Sequence, residues 1–139
     1  MAVIAGGGDP HRFGLSDTIM IKDNHVKLMG IEDAIMSAGK KASFTQKVEV
    51  EAESAEDALR AAKAGADIIM LDNMEPGEVI DTVELLKRSS VPGHMVIEVS
   101  GGINADNLEE YAKTGVDVIS MGSLIHRSHW IDVSLEIIR

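Results

Sequence analysis

Short apolar runs alternate along the chain with stretches whose apolar residues recur every three or four positions. The runs Thr18–Lys22, Lys47–Ala52, Asp67–Leu71, Met95–Val99 and Val116–Met121 are rich in Ile, Val and Met and predict strands. The spacing between them predicts helices over roughly Ile31–Ala38, Ala55–Ala64, Pro76–Arg88 and Ala105–Lys113. Ser54, with Asp57 three residues on, reads as an N-cap of the second helix, and Asn104 as a cap of the fourth. Near the C-terminus, Ile131, Val133, Leu135 and Ile137 alternate with Asp132, Ser134 and Glu136. That period of two predicts a short final strand, with an amphipathic helix as the alternative.

An internal echo supports repeating strand–helix units. AKAGADIIML (Ala62–Leu71) and AKTGVDVISM (Ala112–Met121) each run from a helix end through a glycine and an aspartate into a strand. Gly65 and Gly115 stand where a helix ends in the left-handed conformation that glycine adopts without steric cost. Repeated βα units with short loops mean an α/β fold with a parallel sheet, closed as a barrel or open and doubly wound. Five strands do not close an eight-stranded barrel, which takes about 250 residues. The chain opens on apolar AVIAGGG, a segment expected to be buried. Either the sheet is open, or the chain is the back part of a larger barrel.

Composition narrows the function classes. The formal charge of −10 argues against a nucleic-acid or anionic-membrane surface, which needs clustered Lys and Arg. The absence of cysteine removes disulfides, thiolate metal sites and a cysteine nucleophile, and fits a cytoplasmic location. There is no signal-peptide pattern and no apolar run long enough to span a bilayer. Charge is unevenly placed. Residues 1–30 hold three basic and three acidic side chains, so residues 31–139 carry the whole acidic excess. The balanced segment sets His11, Arg12, Lys22 and His25 among glycines, a combination suited to an anionic small molecule.

In parallel α/β folds ligands gather at the carboxyl ends of the strands. Those ends read Lys22-Asp23-Asn24-His25, Glu51, Asp72-Asn73, Ser100-Gly101-Gly102 and Gly122-Ser123. Glycine turns on two consecutive strands let backbone N–H groups approach a phosphate, with His126 just beyond the second. Two ordinary turns needing glycine for shape remain the alternative. Glu49 and Glu51 alternate with Val48, Val50 and Ala52, which fits a barrel lumen or a solvent-facing edge strand. In a lumen, Glu51 would meet Asp72, and the pair could hold ribose hydroxyls or Mg²⁺. His11, Arg12 and Lys22 suit carboxylate recognition, or are scattered surface cations. His126-Arg127-Ser128-His129 has a metal-like spacing but nothing nearby to complete a ligand set. Asp17, Asp23, His25 and His94 are equally capping, hydrogen-bonded or exposed residues.

HRFGLSDTIMIKDNH, VEVEAES, IIMLDNM, IEVSGGIN and TGVDVISMGSLIH, in this order, resemble the C-terminal barrel of quinolinate phosphoribosyltransferases, also called nicotinate-nucleotide pyrophosphorylases (carboxylating). The resemblance runs over essentially the whole chain and implies an incomplete TIM-like (β/α) barrel. It implies transfer of phosphoribose from phosphoribosyl pyrophosphate (PRPP) to quinolinate with decarboxylation, giving nicotinate mononucleotide, CO₂ and pyrophosphate, with Mg²⁺ as cofactor. It assigns His11, Arg12 and Lys22 to the quinolinate carboxylates, and Glu51 and Asp72 to the ribose and Mg²⁺. Lys22, Glu51 and Asp72 would be the catalytic groups. Ser100, Gly101, Gly102, Gly122 and His126 would hold a phosphate.

The family also carries an N-terminal domain and first barrel strands, and forms dimers in which one subunit covers the other's site. On that basis residues 1–139 are expected to be the C-terminal barrel domain, lacking the N-terminal domain and first barrel strands and inactive alone, either a homodimer or larger or joined by a partner chain that supplies the missing N-terminal domain. The alternatives are a paralogue with another acidic acceptor, a non-catalytic accessory subunit, and another phosphate-binding barrel.

Overall fold

The computed structural model describes residues 2–12, 14–91, 95–128 and 132–137. Five strands form one parallel sheet in the order β1-β2-β3-β4-β5. They are β1 (Thr18–Ile21), β2 (Lys47–Ala52), β3 (Ile68–Asp72), β4 (Val96–Ser100) and β5 (Val118–Ile119). Each strand lies beside its sequence neighbour, so the chain winds in one direction without the reversal of a doubly wound sheet. This is the winding of a barrel, present here as part of one.

The helices are α1 (Ala2–Ala5), α2 (Asp23–Met29), α3 (Ile31–Lys41), α4 (Ala55–Ala64), α5 (Pro76–Arg88), α6 (Leu108–Ala112) and α7 (Ser123–His126). Helix α3 packs on α4, and α4 on α5. Each buries one stripe at helical spacing: Ile31, Ala34 and Ile35; Ala58, Ala61 and Ala62; Val79, Val83 and Leu86. These meet the apolar face of the sheet, where Ile21, Val48, Val50, Ala52, Ile69, Leu71, Ile97 and Val99 are buried. Fully burying each of these larger side chains contributes about 1.5–3 kcal/mol.

The echo between residues 62–71 and 112–121 has a physical cause. Asp67 takes the Val48 amide on its Oδ2 at 2.8 Å and donates its own amide to the Val48 carbonyl at 2.9 Å. Asp117 repeats this with Ile97 at the same two distances. Each aspartate thus fixes where its strand enters the sheet, after a glycine at φ 90° (Gly65) or 84° (Gly115). The Ser54 cap is present, its Oγ accepting from the Asp57 amide.

Four expectations are corrected. Asp23–Met29 is a helix, unforeseen because the polar tetrapeptide after β1 reads as a strand end. Helix α6 begins at Leu108 rather than Ala105, because Asn104 and Asn107 close a turn of their own: the Asn104 amide donates to Asn107 Oδ1, and Asn104 Oδ1 accepts from Asp106. The AVIA segment forms α1 without a buried residue. Residues 132–137 are exposed and form neither strand nor helix, since no strand among the described residues pairs with them; Ile131, His129 and His94 lie outside the described residues.

Candidate functional site

Parallel register partners point to the same side of a sheet, so the pairing sorts every strand residue by face. Opposite the apolar face stand Met20, Glu49 and Glu51, then Met70 and Asp72, then Glu98 and Ser100. Glu51, Met70 and Glu98 form one row across β2, β3 and β4, and Asp72 and Ser100 form the next, nearer the carboxyl ends. Glu49 therefore faces the lumen side with Glu51. It is buried, which rules out the solvent-facing edge for β2.

The loop before β1 folds over this polar face. His11 Nε2 lies 3.3 Å from Glu49 Oε1 and 3.3 Å from Glu98 Oε1. The approach to Glu49 is not a hydrogen bond: Glu49 Oε1 is buried with no hydrogen-bond partner among the described residues. Burial, and then the neighbouring Glu98 carboxylate, push the Glu49 carboxyl above its ordinary range, while His11 and Arg12 pull the other way. Ser120 Oγ donates to Glu98 Oε1. Arg12 reaches the same face, its Nη2 lying 3.9 Å from Met20 Sδ. Lys22 sits at the mouth, with Nζ bonded to Glu51 Oε1 at 2.5 Å. Asp72 accepts from Asn73 Nδ2 at 2.7 Å.

The two glycine turns open on one cleft of about 360 Å³, lined by Ser100, Gly101, Gly102, Gly122, His126 and Arg127 among others. Gly101 and Gly102 have φ of 98° and 64°, a backbone that side chains other than glycine rarely adopt. Ser123 Oγ donates to the Ile103 carbonyl at 2.8 Å and ties the second turn to the first. Ser120 also lines the cleft, so the contacts run continuously from His11 through Glu98 and Ser120 to the glycine turns. The cations, the carboxylates and the glycine cleft thus share one face.

Two participants were not foreseen. Glu98 shares its face with Ser100, and the alternation in IEVS carries the same signal as VEVEA. Asn73 has φ 55° and donates its amide to the Ser100 carbonyl at 2.9 Å, which joins β3's end to the first glycine turn. The other polar residues near β1 are structural. His25 Nδ1 accepts from the Lys22 amide, Asp23 pairs with Lys27, and Asp17 accepts from the Gly14 amide.

The chain and its fold are similar to those of known proteins. The family model described as quinolinate phosphoribosyl transferase, C-terminal domain, matches residues 1–136. A probable nicotinate-nucleotide pyrophosphorylase (carboxylating) of Methanothermobacter thermautotrophicus is 55% identical over 137 residues, covering 98% of this chain and 49% of that protein. The human nicotinate-nucleotide pyrophosphorylase (carboxylating) is 43% identical over 136 residues, covering 97% of this chain and 45% of that protein. The crystal structure of NadC from Streptococcus pyogenes superposes with a TM-score of 0.81 at 42% identity, over 91% of this chain and 43% of that one. The chain spans about half the length of the curated relatives it matches. With a family model over nearly every residue and a solved relative superposing over 91% of it, this chain belongs to the quinolinate phosphoribosyl transferase family, in its C-terminal domain.

Proposed function

We propose that this chain provides the phosphoribosyl-transfer site of a quinolinate phosphoribosyltransferase, which joins quinolinate to PRPP and releases CO₂ and pyrophosphate. The observation that carries the reading is the shared face: cations at one side, carboxylates at the strand ends and a paired-glycine cleft beyond them. Arg12 and Lys22 are the cations for the substrate's two carboxylates, Arg by a planar fork and Lys as a point charge. His11 joins them through Nδ1, because Nε2 faces Glu49 and Glu98. The cleft of Ser100, Gly101, Gly102, Gly122 and His126 takes a phosphate of PRPP or of the product, with backbone N–H groups and the imidazole as donors.

The chemical step is displacement at the anomeric carbon. The pyridine nitrogen forms the new bond as the bond to pyrophosphate breaks, and positive charge develops on the ribose. Glu51 and Asp72, fixed at neighbouring strand ends, stabilise that charge without reorganising. They also fit Mg²⁺, which takes oxygen ligands and is commonly held by one or two carboxylates together with substrate phosphates. Among the described residues, Glu51 Oε2 and Asp72 Oδ1 are the oxygens that Lys22 and Asn73 leave uncommitted. When bound, the ion supplies charge neutralisation for the pyrophosphate. Lys22 then moves from Glu51 to the quinolinate carboxylate, exchanging one carboxylate partner for another.

The sheet ends at β1 and β5 with no further strand among the described residues. Leu15, Phe44, Leu124 and Ile125 are exposed. A second copy or another polypeptide that continues the barrel fits these edges.

Calorimetry with quinolinate and with nicotinate mononucleotide tests the reading on this chain. Binding of both, with quinolinate preferred over other aromatic acids, supports it. Equal binding of a panel of aromatic acids, or none, overturns it.

A further inference from the structure

We propose that His11, Glu49 and Glu98 form a divalent transition-metal site on the inner face of the sheet, separate from the strand-end carboxylates Glu51 and Asp72. One ligand atom from each of the three side chains lies within 4.8 Å of the others. The two edges from His11 Nε2 are both 3.3 Å. Donors held roughly 2.0–2.2 Å from a tetrahedral centre stand about 3.4 Å apart, so these edges already match a coordination sphere.

Charge points the same way. Glu49 is 1% exposed and its Oε1 has no hydrogen-bond partner among the described residues. Removing the charge or pairing it is what buried carboxylates normally require, and a second buried carboxylate adds to the need. One imidazole N–H cannot aim at Glu49 and Glu98 together, whereas a cation between the three groups faces all of them. Ser120 Oγ donates to the same Oε1 of Glu98 that faces His11, and hydrogen-bonded carboxylates are usual among metal ligands.

The donor set selects the metal class. Two carboxylates with one imidazole suit Zn²⁺, Mn²⁺, Fe²⁺ or Co²⁺; Mg²⁺ and Ca²⁺ prefer oxygen alone. Three protein ligands leave a position open for water or a ligand atom. Glu49 sets the site deeper than the mouth, while Glu98 stands in the row of Glu51 two strands away. Glu49 lies two residues before Glu51 on the same strand, about 6.6 Å at strand spacing. The ligand His11 arrives from a loop with φ 32°, a strained backbone for a residue with a side chain. A coordinate bond supplies a reason for the loop to hold that shape.

The test is metal binding by the 139-residue chain after dialysis against chelator, with Zn²⁺ followed by calorimetry and Co²⁺ by its visible d–d absorption. One equivalent of each metal is expected, with Mg²⁺ failing to compete. Loss of a supporting residue costs metal sites roughly 10–100-fold, so Glu98→Gln and His11→Asn, which remove ligands, are expected to weaken binding by about 100-fold or more. His25→Asn is expected to leave it unchanged. Far-UV circular dichroism checks folding; should Glu98→Gln unfold, His11→Asn, placed on the loop outside the sheet, decides the outcome by itself. Absence of Zn²⁺ and Co²⁺ binding, or binding that His11→Asn leaves intact, overturns the site. Neither readout depends on phosphoribosyl transfer.

Discussion

Asn73 and Gly101 share a space that leaves no room for a side chain at position 101. A Cβ built on Gly101 would lie 2.4 Å from Asn73 Oδ1 and 2.7 Å from the Asn73 backbone nitrogen. The side chain could rotate away, but the backbone nitrogen is fixed by its hydrogen bond to Ser100. Both residues also have positive φ. The end of β3, which carries Asp72, and the first glycine turn are therefore set as a unit.

Gly101→Ala is accordingly expected to destabilise the chain by about 1–3 kcal/mol, the cost of a strained φ combined with a close backbone contact. Phosphate affinity should fall by more than that loss of stability explains, since the turn itself must move. Urea unfolding and calorimetry with nicotinate mononucleotide measure the two effects. A variant with native stability and affinity contradicts the contact.

Leu71 tests the fold without touching the site. It is fully buried on the helix-facing side of β3, while its neighbour Asp72 faces the other way. Leu71→Ala is expected to cost about 2–5 kcal/mol in denaturant unfolding. Ligand affinity of the folded fraction should be retained.

Lys22 and Glu51 separate binding from stability. The ammonium is half exposed and the carboxylate mostly buried. With its ammonium half in solvent the pair contributes about 1 kcal/mol, so Lys22→Met should change unfolding little. Quinolinate affinity should fall roughly tenfold or more, the cost of losing one charge-assisted hydrogen bond. An unchanged affinity would remove Lys22 from the proposed substrate site.

The Arg60 guanidinium holds the Glu32 carboxyl below its ordinary range, and the pair joins α4 to α3 by two hydrogen bonds of 2.9 and 2.8 Å. A lowered carboxyl pKa contributes stability above the unfolded-state value, and that contribution is lost as pH falls through the folded-state value. Carboxyl-detected NMR should show Glu32 titrating below an ordinary glutamate, and Arg60→Met should return it toward normal. A Glu32 midpoint that Arg60→Met does not move contradicts the assignment.

The parallel α/β winding, all five strands, the helices α3, α4 and α5 and the existence of α6 are legible in the order of residues alone, as is the alternation that sorts each strand by face. These are local properties: periodicity, glycine at helix ends and turn chemistry act within a few residues. Lys22, Glu51, Asp72 and the two glycine turns stand out in the same way, because function in this fold collects at strand ends. Helix α2 escaped because its polar residues carry the cap and the Asp23–Lys27 pair rather than an apolar stripe. The meeting of His11 with Glu49 and Glu98, 38 and 87 positions away in the chain, emerges only on folding, as does the closure of Asn73 against Gly101. Such contacts depend on sheet register and on how a glycine loop crosses a face. Both are fixed when the strands pair, and no short-range pattern records them.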